Sequence, residues 1–141
     1  MNKLIAMTTL AVFALLSFSC TSANNAGNAG KPVKSGPAGN NLSVTLSSAD
    51  GVLRKGDQTF TLTFADASGK PVDVGAVALN FFMPAMGSMA AMNSPAAFTT
   101  TATPGVYSGK ANIEMTGEWQ AQITYEGPAG KGKATLPITA Q

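Results

Sequence analysis

Residues 59–83 read TFTLTFADASGKPVDVGAVALNFFM, two runs of alternating apolar and polar side chains separated by a turn. Phe60, Leu62 and Phe64 alternate with Thr59, Thr61 and Thr63, and Val77, Leu79, Phe81 and Met83 repeat the period beyond Asp66–Pro71. Successive side chains of a strand point to opposite faces, so this pattern buries one face and wets the other. The same signature recurs along the chain. Leu42, Val44 and Leu46 carry it, as do Tyr107, Ala111 and Ile113, then Trp119, Ala121, Ile123 and Tyr125, then Ala134, Leu136 and Ile138; a weaker strand, AAFTTTA, fills 96–102. Asp50-Gly51, Lys55-Gly56-Asp57, Pro104-Gly105, Thr116-Gly117 and Gly127-Pro128 supply turns between them. Seven short strands in about 100 residues predict an all-β fold, an immunoglobulin-like antiparallel β-sandwich, with an open barrel as the alternative. Its expected core includes Leu46, Phe60, Phe64, Leu79, Phe81, Trp119, Ile123 and Leu136.

Upstream of the strands, Lys3 is followed by an apolar run from Leu4 to Phe18, then Ser19 and Cys20. A charged start, a short apolar stretch and small residues before a cleavage point read as an export signal. Cys20 is the only cysteine, which excludes a disulfide within the chain. Its position resembles the lipidated cysteine of a bacterial lipoprotein, giving a signal over 1–19 and a mature chain that starts at Cys20. A plain secretory signal cut near Ala23 is the alternative. Residues 20–41, rich in Asn, Ala, Gly, Ser and Pro, read as a flexible linker that bury too little to order themselves. The expected address is the cell envelope: the outer membrane, facing the periplasm, in a Gram-negative host.

The remaining segment, 42–141, is one domain by length. With Lys3 removed in the signal, eight Lys and Arg face seven Asp and Glu, a net charge of about +1. No basic stripe runs along the chain, so nucleic acid is not an expected partner. Histidine is absent altogether, which removes the commonest general base and the commonest metal ligand. The seven carboxylates are scattered singly, and no Gly-rich phosphate loop, CxxC or serine elbow occurs. An enzyme is not expected.

Three motifs resemble the YtkA-like domain family, small extracytoplasmic domains related to FixH. They are the D-x-x-G-x-P-V turn of Asp66, Gly69, Pro71 and Val72, the M-P-x-M-G of Met83, Pro84, Met86 and Gly87, and the G-x-Y then M-x-G-x-W of Gly105, Tyr107, Met115, Gly117 and Trp119. The resemblance covers about residues 58–138 and implies a sandwich fold, an envelope setting and an association with copper or heavy-metal handling. The chain lacks the histidine of any mixed His/Met site.

Methionines occupy 83, 86, 89 and 92 in MPAMGSMAAM. Positions three apart fan out around an α-helix but line up in polyproline II or a 3₁₀ turn, and Pro84 favours the former. Met83 continues an inward-facing series and reads as core. Alternating strand directions bring the connections after the first, third and fifth strands to one end, so Met86, Met89 and Met92 share an end with Met115. Soft, uncharged thioethers select Cu(I) and have no proton to lose. The expected function is a membrane-tethered binding domain, a Cu(I) carrier or buffer using Met86, Met89, Met92 and Met115, with envelope metal-handling or transport proteins as partners. Ordinary packing of the loop, or a non-metal adaptor presenting it to an envelope complex, is the other outcome.

Overall fold

The computed structural model describes residues 30–141. The export signal, Cys20 and the first part of the linker lie outside the described residues. Nine strands follow in chain order: β1 Lys31–Gly39, β2 Leu42–Ser48, β3 Gly56–Ala65, β4 Ala76–Met83, β5 Met92–Pro95, β6 Ala97–Thr100, β7 Val106–Ile113, β8 Gly117–Gly127 and β9 Gly130–Ala140. They form two antiparallel sheets, one ordered β1-β2-β3-β7-β6 and the other β5-β4-β8-β9. Set β1 aside, and the neighbours match the ABED and C′CFG sheets of the immunoglobulin sandwich.

Two of the nine strands were not legible as such. Residues 31–39 belong to the expected linker, yet they pair along β2 from Lys31 opposite Ser48 to Gly39 opposite Leu42. Asn40 and Asn41 turn that hairpin at φ 51° and 58°, left-handed values that a two-residue type I′ loop requires and that Asn tolerates. Pro32 and Pro37 lie near the two register shifts of β1, where a missing N–H is harmless on an edge strand. Residues 31–39 are therefore strand and not linker. The weak strand expected at 96–102 is β6, whereas β5 forms in the stretch expected as the methionine-bearing connection; the chain passes from one sheet to the other at Ala96, whose N–H bonds the Leu79 carbonyl.

All eight expected core residues are buried. Phe60 of β3 meets Phe81 of β4 edge-on across the sheets, with centroids 5.5 Å apart, and Phe64 meets Tyr125 at 5.3 Å. Tyr125 donates its hydroxyl to the Ala38 carbonyl at 3.0 Å, and Asn40 Nδ2 donates to that hydroxyl at 3.2 Å. β1 is thereby tied to β8 as well as to β2.

The family-like motifs gather at the two ends of the sandwich. At one end, Asp66 Oδ1 accepts the Ser68 and Lys70 N–H groups at 2.9 and 3.1 Å, closing the turn. Gly105, at φ 83°, lies against that turn, and a Cβ there would stand 2.5 Å from the Val72 carbonyl oxygen. Tyr107 donates to Asp73 and accepts from the Val74 N–H. These residues are turn-makers and anchors. At the opposite end lie Met83, the β7–β8 connection with Met115, and the start of the described chain.

Candidate functional site

The stretch MPAMGSMAAM is a symmetric hairpin. Met83 at the end of β4 pairs with Met92 at the start of β5. Beyond them Met86 and Met89 exchange both backbone hydrogen bonds, at 3.1 and 2.9 Å. Gly87 takes φ 57° at the first central position while Ser88 stays at negative φ, the pattern of a type II′ loop. The spacing of three thus marks neither polyproline II nor a 3₁₀ turn. It arises because 83 with 92 and 86 with 89 are concentric about the Gly87-Ser88 bond.

This register sorts the methionines. Residues opposite one another in an antiparallel pair share a face, so Met86 and Met89 project together. They are 57% and 42% exposed, the large hydrophobic side chains most open to solvent among the described residues. Met83 is buried, and Met92, opposite it, is half-buried and packed against the core. Met115 is likewise packed against the core, and its carbonyl accepts the Trp119 indole N–H at 3.0 Å. Of the four candidate donors, the structure joins Met86 and Met89 as one exposed pair. Met92 and Met115 share their end of the sandwich but serve the interior.

Met86 also lines a cleft of about 560 Å³ on the outer face of the second sheet. Pro84, Glu118 and Gln120 line it from the hairpin and β8, Pro137 and Thr139 from β9, and Lys34 from β1. Sequence reasoning missed this cleft. Apart from the hairpin residues and the edges of the buried Trp119 and Ile138, its walls are solvent-side residues of strands, whose polar alternation carries no mark of a site, and β1 was not expected to be there. The symmetry of M-x-x-M-G-S-M-x-x-M about a Gly-Ser pair was a readable hairpin signal. Among the described residues no group of three or more Cys, Asp or Glu is placed to hold a metal ion.

The fold and its ends define a small immunoglobulin-like domain whose shared motifs are structural and whose most exposed apolar feature is a methionine hairpin. The chain belongs to the YtkA-like family, whose model matches residues 38–124, from the end of β1 into β8. No curated protein and no solved structure matches it.

Proposed function

We propose that this protein is a non-catalytic, membrane-tethered domain of the cell envelope, lipidated at Cys20, that holds Cu(I) weakly and exchangeably between Met86 and Met89. The observation that carries the reading is the cross-strand pairing of these two exposed thioethers on one face of a hairpin. Opposite residues of such a pair hold their Cβ atoms about 5 Å apart, and two long, flexible thioether arms from there can converge on one soft ion. The donor chemistry fits: uncharged sulfur prefers Cu(I) to Zn, Ca or Mg. Two donors without a thiolate make a shallow well, suited to transfer rather than storage, and envelope metal-handling or transport proteins are the fitting partners. Met92 and Met115 support the site by packing.

The test is anaerobic Cu(I) titration of the described domain against a competing chelator, with Met86→Leu/Met89→Leu beside the parent. Leucine retains apolar bulk and removes sulfur. Affinity lost in the double variant, at unchanged melting temperature, supports ligation. Equal affinity, or a parent no tighter than free methionine, refutes it.

One observation favours a second reading. An uncharged loop, Pro84–Ala91, exposed throughout and carrying both open methionines, also suits a pliable contact surface for an envelope complex without metal. In that case the leucine variant binds its partner as the parent does.

A further inference from the structure

The root of the membrane tether and the methionine hairpin lie at the same end of the molecule. β1 starts at Lys31, opposite Ser48 at the end of β2. That end also holds the last residues of β4, β7 and β9 and the first of β3, β5 and β8, as the registers Gly56 with Ile113, Phe82 with Gln120 and Gly117 with Ala140 require. The proximity is direct as well as topological: Lys34, on the first strand, lines the same cleft as Met86. Gly30, where the described chain begins, is only ten positions from Cys20. Ten residues reach at most about 35 Å even when fully extended. Had residues 31–39 been part of the linker, the tether would have been twice as long and rooted at the far end.

We infer that the Met86–Met89 hairpin is the membrane-facing tip of the domain and rests on the lipid surface to which Cys20 is anchored. The inference rests on the lipidation of Cys20 proposed above and is independent of copper. The tip suits that surface. Residues 84–91, PAMGSMAA, are all exposed and carry no charge, so the loop can enter the headgroup layer without desolvating an ion. Lys31 and Lys34 stand exposed beside the tether root, where long basic side chains meet lipid phosphates. Acidic side chains occur at both ends, Asp50, Asp57, Glu114 and Glu118 near the tip and Asp66, Asp73 and the Lys131-paired Glu126 at the other, so the distinction lies in the loop: among the described residues the opposite end exposes no large apolar side chain. Contact at the tip orients the domain and holds the thioether pair at the bilayer surface.

The experiment uses the full lipidated chain in phosphatidylcholine vesicles without copper. Lipidation blocks the thiol of Cys20, the only native cysteine, so Ser88→Cys or Ala67→Cys introduces one free thiol for a fluorescent probe, at the tip or in the far turn. Quenching by lipids spin-labelled near the headgroup is expected to be at least about twofold stronger at position 88 than at 67, and to fall when Met86→Ser/Met89→Ser is added. Flotation of the protein with vesicles reports the anchor separately. Flotation with equal quenching at the two positions, or with quenching at 88 unchanged by the serine pair, overturns the inference while leaving lipidation standing. Failure to float removes the anchor, and the membrane-facing tip with it.

Discussion

The terminal methyl of Met83 lies 3.3 Å from the point at which Gly117 would carry a Cβ. Met83 opens the M-P-x-M-G motif and Gly117 sits in the M-x-G-x-W motif, so two motifs distant in sequence are one packing arrangement. Gly117 takes φ 131°, a backbone that favours glycine, and its missing side chain leaves room for the thioether. Beside it the indole N–H of Trp119 is held by the Met115 carbonyl.

The methionines are accordingly expected to separate by energy. Met83→Ala empties a buried site and should cost about 2–5 kcal/mol, whereas Met86→Ala, on an exposed loop, should stay within about 0.5 kcal/mol. Urea denaturation of the two variants checks the contrast. Similar losses would show that the hairpin tip is part of the core.

Trp119→Ala should cost about 3–5 kcal/mol, because it removes the largest of the fully buried side chains. The change in denaturation midpoint at constant slope measures it.

Two glycines at nearly the same backbone angle should respond differently. Gly105, at φ 83°, has the Val72 backbone 2.5 Å from a would-be Cβ, so Gly105→Ala should lose at least about 3 kcal/mol through strain and overlap together. Gly69, at φ 84°, has nothing within 4 Å, and Gly69→Ala should lose only about 1 kcal/mol from strain. Equal losses in thermal unfolding would mean that the Gly105 contact with the turn is not rigid.

Stability should fall at both extremes of pH for opposite reasons. Hydrogen bonds from the Ser68 hydroxyl and the Lys70 amide hold the Asp66 carboxyl below its ordinary value of 3.8. Its contribution is full above that value and is lost as pH falls through the lower folded one, so Asp66→Asn should flatten the acid limb of the stability curve. Burial pushes the Tyr107 hydroxyl above 10.0. That contribution is present below pH 10 and is lost as pH rises through the folded value. Tyr107→Phe should remove this alkaline dependence and, by leaving the Val74 N–H unpartnered, cost about 1–3 kcal/mol at neutral pH. Chemical denaturation across pH measures both.

Removing β1 should destabilise the sandwich. A chain beginning at residue 40 loses the Tyr125–Ala38 hydrogen bond and uncovers the edge of β2. A melting temperature equal to that of a chain beginning at residue 30 would show that β1 contributes nothing to stability.

The strands that carry the core were legible because alternation is a local property: each of Phe60, Phe64, Leu79, Phe81, Ile123 and Leu136 sits in a period-two run whose apolar face has one place to go. The turn at Asp66–Lys70 was legible because its Asx and glycine chemistry needs no distant partner. The sequence alone also settled that residues 30–141 hold no histidine and no cysteine, so the soft donors of that segment are thioethers. Other features depend on partners that a linear pattern does not name. β1 is a strand because β2 offers it a row of backbone groups and β8 a tyrosine hydroxyl, although its own side chains, rich in Lys, Pro and Gly, show no apolar period. Likewise, Met83 was legible as core from the inward series it continues, but Met86, Met89 and Met92 look equivalent in the sequence. Only the register of the hairpin, closing at Gly87-Ser88, turns Met92 toward the interior opposite Met83 and leaves Met86 and Met89 open, because pairing across strands decides which face each side chain shares.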